Sequence, residues 1–232
     1  MPRDTLTADQ IVTAAIALLD EEGLDGLNMR ALGNRLESAA TAIYWHIKTK
    51  DELVRLAGDA IWGEIELPDL EGADWREAAT AMATGLHEML TRHPWFGQAL
   101  GSYLMYGPGK SRYDDRSLEL YEQAGFSPAD ADRAAATVFI YVAGSALGSA
   151  AHVSLTRRLS RSGRDADKAL QDTVEQAKAV AMDFPNLRKR LDTTAAEQYA
   201  AAPDSTFTFG LQTILTGLES RLTESPISGV AP

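Results

Sequence analysis

Residues 38–53 read SAATAIYWHIKTKDEL, and in them Tyr44, Trp45 and His46 stand side by side, just ahead of Lys48-Thr49-Lys50. A short helix at a protein surface buries only one face. Ile43 and Ile47, four residues apart, define that face, which leaves Thr41, Tyr44 and Trp45 outside it. Upstream, Asn28 suits an N-cap for MRALGNRL, a short helix burying Leu32 and Leu36, and Ser38 is expected to cap the helix that carries the two isoleucines. A short helix, a tight turn and a second short helix make a helix-turn-helix, whose second helix enters the major groove of DNA. A phenol and an indole can pack on thymine methyls and sugars and hydrogen-bond phosphates, while Thr41 can reach base edges. Lys48 and Lys50, with the capped helix start at Asn28, are placed to hold phosphates by charge and by backbone amides. On spacing alone, packing of Tyr44 and Trp45 against the next helix remains an equal alternative.

Outward from this stretch the chain reads as all-α, because no run of alternating β-branched residues makes a convincing strand. Thr7 with Gln10 three residues on is a capping-box pattern, and Ile11, Ala14, Ala15, Leu18 and Leu19 recur at helical spacing before Gly23, where the helix is expected to stop. A fourth helix opens at Lys50-Asp51 and is expected to run toward Leu67-Pro68. Clusters of Pro and Gly at 68–74, 107–110, 125–128 and 162–165 punctuate further helices, the long ones near 74–92, 128–157, 165–183 and 205–223. The stretch from Ala134 to Ala151 is nearly uncharged and carries Gly144, Ser145, Gly148 and Ser149, which lets another helix approach closely. The expected organisation is a head over residues 1–52, with its fourth helix continuing to about 66, a helical body over 53–223 and a disordered tail over 224–232.

The whole chain of 232 residues carries a formal net charge of -11 with 45% hydrophobic residues, and its mean hydropathy is -0.20. Such a charge argues against a generic polyanion binder, so any contact with DNA must be local. Residues 28–50 supply that locality: Arg30, Arg35, Lys48 and Lys50 stand against Glu37 alone. No apolar run is long enough for a membrane span, and MPRDTLTADQ lacks the apolar core of a signal peptide, so the expected location is the cytoplasm. The chain has no cysteine, which removes disulfides and thiolate metal sites. His46, His87, His93 and His152 have no ligand spacing, and neither a metal nor a cofactor is expected. Gly109-Lys110-Ser111 lacks the first glycine and the strand of a phosphate loop, Ser145 lies outside a nucleophile elbow, and Arg157-Arg158-Leu159-Ser160-Arg161 reads as a solvated helix end.

The segment from about Thr7 to Leu56 resembles the N-terminal domain of the TetR family of transcriptional repressors. The resemblance is carried by Gly23-Leu24, the run Asn28-Met29-Arg30-Ala31-Leu32, Leu36, and the run from Ala42 to Leu53. It implies recognition-helix contacts at Ala40, Thr41, Tyr44, Trp45 and His46, and phosphate contacts at Asn28, Arg30 and Lys50. Two departures stand out: Glu37 occupies a turn position where the family usually has glycine, and Ala39-Ala40 opens the recognition helix where polar residues or proline are common. At the other end, Phe207-Thr208-Phe209-Gly210-Leu211, Ile214-Leu215 and Gly217-Leu218-Glu219 are similar to the last helix of the tetracycline-repressor branch, and residues 183–187 resemble a loop of related C-terminal domains.

The resemblance further implies a homodimer through helices near 128–157 and 205–223, and a small-molecule effector held among the C-terminal helices. Candidate pocket residues are Met82, Leu86, Leu100, Tyr103, Leu104, Phe139 and Tyr141, an apolar set with phenols for orientation. Leu100 falls where tetracycline repressors carry a histidine that coordinates drug-bound magnesium, which favours a hydrophobic or aromatic effector. The expected function is a ligand-responsive repressor of a palindromic operator in double-stranded DNA. The rival readings are an all-α dimeric adaptor or small-molecule binder without specific DNA recognition, and an all-α enzyme. For the enzyme no carboxylate pair or activated nucleophile emerges.

Overall fold

A computed structural model describes residues 6–161, 165–191 and 203–224, and among them every regular element is a helix. In chain order these are α1 (Ala8–Gly26), α2 (Met29–Arg35), α3 (Ala40–His46), α4 (Lys50–Trp62), α5 (Trp75–Arg92), α6 (Pro94–Leu100), α7 (Pro108–Gln123), α8 (Pro128–Arg161), α9 (Ala166–Ala181), α10 (Pro185–Leu191) and α11 (Pro203–Glu224). None of the helices is long and apolar enough to cross a membrane among the described residues. The expected disordered tail falls almost wholly outside the described residues.

Local chemistry starts the first helices. Thr7 and Gln10 cap α1 reciprocally, at 3.2 Å from Gln10 N to Thr7 Oγ1 and 2.9 Å from Thr7 N to Gln10 Oε1. Gly23, at φ 68, bends this helix rather than ending it, and one further turn runs to Gly26. The Asn28 side chain accepts from Ala31 N at 2.9 Å and so opens α2. Ser38 does not cap α3: the N-cap is Ala39, with no side-chain bond, because Ser38 N is turned back onto Gly33 O at 2.9 Å in the tight turn. Thr49 caps α4 by accepting from Glu52 N at 3.0 Å.

The fourth helix ends at Trp62, earlier than the expected 66. Successive amides of Gly63, Glu64 and Ile65 donate to carbonyls three residues back, at 2.9, 3.1 and 3.3 Å, tightening the chain so that Ile65 turns inward to 2% exposure. Two short proline-led helices, α6 and α10, have no counterpart among the long segments read from sequence, and α7 begins inside the Gly-Pro-Gly-Lys cluster that reads as a break.

Around α8 pack α5, α6, α7 and α11, so this helix forms the axis of the body, burying Ala131, Ala134, Val138, Val142 and Ala146 while Ala136, Thr137 and Ile140 stay exposed on its other face. Helix α1 packs on both α4 and α6, and α4 also meets α7. The head is therefore seated on the body through two helices. Where α4 meets the body a set of rings interlocks: Trp62 lies 6.2 Å from Phe96, 5.0 Å from Tyr113 and 6.3 Å from Phe139, and Trp95 lies 5.6 Å from Phe96. Each such pair adds about 0.5–1.5 kcal/mol beyond the burial of its area. Burial also pushes the Tyr113 and Tyr121 phenols up, so both stay neutral.

Candidate nucleic-acid interface and pocket

The sequence pattern of α3 is realised as two faces. Ile43 and Ile47 are 0% and 1% exposed, whereas Tyr44 is 45% and Trp45 81% exposed. Thr41 and His46 are also exposed, and Ala40, the first residue of the helix, is half-buried. Thr41, Tyr44 and Trp45 follow the i, i+3, i+4 spacing, so they share one surface. Lys48 folds back over the end of α3, its Nζ donating to Tyr44 O at 2.8 Å and Trp45 O at 3.0 Å and lying 5.8 Å from the Trp45 ring centre. A cation there satisfies carbonyls that the helix leaves open and opposes the negative end of its dipole.

The other basic residues of the island are used unequally. Lys50 Nζ donates to Leu24 O at 2.7 Å, tying the start of α4 to the end of α1. Arg35 makes two bonds to Glu21, at 2.5 and 2.7 Å, and holds that carboxyl below its ordinary range. Arg30 is exposed and carries no ion pair among the described residues. The Asn28 amide is committed locally, with Oδ1 taken by Ala31 N and Nδ2 donating to Gly26 O at 3.0 Å. The surface that remains open for a partner is thus ring-rich, with Arg30 beside it carrying no ion pair among the described residues.

The turn between α2 and α3 is held by two unusual residues. Glu37 adopts φ 49, the left-handed region that glycine occupies without cost. Gly33 lies so close to the returning chain that a Cβ there would meet Ser38 O at 2.8 Å. The departure from glycine at Glu37 is therefore visible in the backbone itself. Sequence reasoning passed over Gly33, whose signal was a glycine inside a helical run.

In the body a pocket of about 420 Å³ opens between α5, α6 and α8. Leu90, Gly97, Leu100, Gly101, Phe139, Ile140, Ala143, Gly144 and Ala146 line it, an apolar set without one ionisable side chain. Of the residues read from sequence, Leu100 and Phe139 meet here. Met82 and Leu86 are 3% and 0% exposed and belong to the core, and Tyr103 is half-buried outside the lining. Leu104 is 83% exposed, and the Tyr141 hydroxyl turns to the carbonyls of Thr206 and Phe207 at 3.0 and 2.9 Å on α11. The smooth wall made by Gly97 and Gly101 went unread, although their i, i+4 spacing places them on one side of a helix.

Phe139 has two roles: it lines the pocket and stacks on Trp62, the last residue of α4, at an interplanar angle of 26°. The Trp62 indole N–H is buried and has no hydrogen-bond partner among the described residues, a costly state for a polar group. Lys110 Nζ lies 5.6 Å from the Trp62 ring centre and 5.8 Å from that of Phe139. A larger open groove of about 1270 Å³ lies between α1 and the turn, lined in part by Asp9, Gln10, Arg35 and Glu37. Its wall is mixed, with Leu6, Ala14, Ala17 and Leu36 beside those polar groups. No group of three metal-ligating side chains exists among the described residues. His87 stacks on Phe207 at 4.1 Å, and the His152 side chain lies outside the described set. Arg157, read as part of a solvated helix end, instead donates to Asp20 O on α1 at 2.7 Å.

Comparison with known proteins bears on both sites. Residues 11–57 match the family model described as bacterial regulatory proteins, tetR family, and residues 67–222 match that of the tetracyclin repressor-like C-terminal domain. An HTH-type transcriptional regulator of Saccharopolyspora erythraea is 40% identical over 140 residues, covering 60% of this chain and 59% of that protein. The HTH-type transcriptional repressor DrrR1 of Streptomyces coeruleorubidus is 30% identical over 94% of this chain and 79% of its own. The class A tetracycline repressor of transposon 1721 from Escherichia coli is 30% identical over 93% and 92% of the two chains. Among solved structures, the Streptomyces coelicolor protein ActR in complex with actinorhodin superposes with a TM-score of 0.75 at 28% identity, covering 96% of this chain and 100% of that one.

Proposed function

The chain belongs to the TetR family of transcriptional regulators, and from that premise we propose that it is a homodimeric repressor of a palindromic DNA operator, released by a small hydrophobic or aromatic effector. It acts by binding and not by catalysis. The observation that carries the reading is the exposure of Tyr44 and Trp45 on a helix whose opposite face is fully buried. Burying two large rings is favourable, so leaving both in water makes sense when a partner covers them. Residues 1–52 are the reading head in this proposal and 53–223 the effector and dimer body. Direct contacts come from Ala40, Thr41, Tyr44, Trp45 and His46, and phosphates are held around Asn28, Arg30, Lys48 and Lys50. DNA as partner puts the protein in the cytoplasm.

The dimer would form on α8 and α11, where Ile140 and Phe209 stand 68% and 75% exposed. The effector would enter the pocket of α5, α6 and α8, whose volume lies in the usual range for small-molecule sites, roughly 300–1,000 Å³. Its apolar lining, with Leu100 in place of a metal ligand, supports an aromatic molecule over a magnesium chelate, and ActR, named with actinorhodin, is in keeping with that class. An effector that displaces Phe139 disturbs the stack on Trp62 and thereby α4, which shifts the population of head positions.

The test is selection from a random duplex library over a salt series, with Tyr44→Ala alongside. A palindrome should be enriched, log K should fall with log salt at a slope of about -5 to -7 for roughly 6–8 phosphate contacts, and Tyr44→Ala should weaken binding about tenfold. No enrichment at low salt would remove the repressor reading.

A further inference from the structure

His93 joins α5 to α6 and is 6% exposed. Its Nδ1 lies 2.8 Å from Asp20 Oδ1 on α1, and its Nε2 lies 3.1 Å from Glu64 Oε1, just beyond the end of α4. A carboxylate only accepts hydrogen bonds, and a neutral imidazole has a single N–H to give. Two carboxylates held on both ring nitrogens at once therefore call for the imidazolium. The surrounding bonds fix both carboxylates in place. Trp95 Nε1 donates to the same Asp20 oxygen at 2.9 Å, and Arg92 donates to Glu64 Oε2 at 2.9 Å. From α8, Arg157 donates to the backbone carbonyl of Asp20 at 2.7 Å.

The charged groups around the ring are thus Asp20 from α1, Glu64 from the segment after α4, Arg92 from α5 and Arg157 from α8. Burial works against the charged ring, and the hydrogen bonds and charges of Asp20 and Glu64 outweigh it, so the His93 pKa is raised above its ordinary value. The same contacts, with Arg92, hold the Glu64 carboxyl low against its own burial.

We propose that His93 is a positioning residue: as an imidazolium it bolts α1 and the end of α4, the two helices that seat the reading head, to the start of α6, whose far end lines the pocket. Neutralising the ring removes one of the two bonds and loosens the head. The consequence for DNA rests on the repressor reading above, whereas the charged bolt itself does not. The direction with pH follows from the raised pKa. The bolt's contribution to stability is complete below the ordinary histidine pKa and is lost as pH rises through the higher folded value.

The experiment uses the full chain with isotope-labelled histidine. The midpoint at which His93 loses its second ring proton should lie above the ordinary histidine value. The wild-type melting temperature should fall by about 5 °C as pH rises through the His93 midpoint, while His93→Gln should melt lower than the wild type below that midpoint and stay level across it. Should that variant fold poorly, Asp20→Asn keeps the shape and should move the His93 titration down by about one pH unit. Affinity for the selected duplex should fall about tenfold over the same range in the wild type only. A His93 midpoint at or below the ordinary histidine value, an unmoved titration in Asp20→Asn, or an equal pH slope in His93→Gln would overturn the proposal. Failure to enrich any duplex would strike the repressor reading alone, because the magnetic resonance and melting results decide the bolt without DNA.

Discussion

Trp45 and Trp62 sit on neighbouring helices and meet opposite surroundings, 81% exposed in the head and 0% exposed where the head meets the body. The head holds its short helices with caps made by Thr7, Asn28 and Thr49 and with a few aliphatic anchors such as Leu32, Ile43 and Ile47. Its rings carry no load and remain available to a partner. The body instead invests its rings in its own interior, with Trp62, Trp95, Phe96, Tyr113 and Phe139 packed on one another. The difference teaches that one residue type marks recognition where caps hold the fold, and cohesion where packing does.

The sharpest way to break this comparison is to truncate both rings. Trp62→Ala should cost about 3–5 kcal/mol and lower the melting temperature by roughly 10 °C. Trp45→Ala should leave stability within about 0.5 kcal/mol while reducing affinity for the selected duplex at least about tenfold. Calorimetry with titration of labelled duplex reads both; a heat-labile Trp45→Ala protein would erase the distinction. Next in size is Gly33→Ala, where the new Cβ meets the Ser38 carbonyl. A loss of about 1–2 kcal/mol in denaturant titration is expected, with DNA affinity falling because the turn aims α3. The smallest effect belongs to Glu37→Gly. Relief of the left-handed backbone, partly offset by the greater freedom of glycine in the unfolded chain, should leave a gain of about 0.5 kcal/mol.

The head was legible because its signals are local. A capping residue and its partner sit three positions apart, and Ile43 with Ile47 declares a face without reference to anything distant. Ser38 misled because the turn spends that residue's backbone on Gly33, which a capping preference does not register. The end of α4 was misplaced because Ile65 is drawn inward by neighbours that sequence spacing does not name. The pocket was the least legible part. Met82, Leu86, Leu100 and Leu104 look alike as apolar residues at helical spacing, yet two are core, one is lining and one faces water. Arg157 shows the same limit for charge, since its partner lies across the molecule on α1.

The charge segregation has a consequence for how the molecule meets a nucleic acid. In a chain of net charge -11, Arg35 is taken up by Glu21, so the local positive charge beside α3 comes from Arg30, Lys48 and Lys50, and it acts on a polyanion only at short range. In the proposed repressor, collisions led by the acidic body would be turned away and those led by α3 favoured, so encounters would arrive already oriented. The same repulsion would shorten each visit to an unspecific stretch, trading residence for sampling during the search.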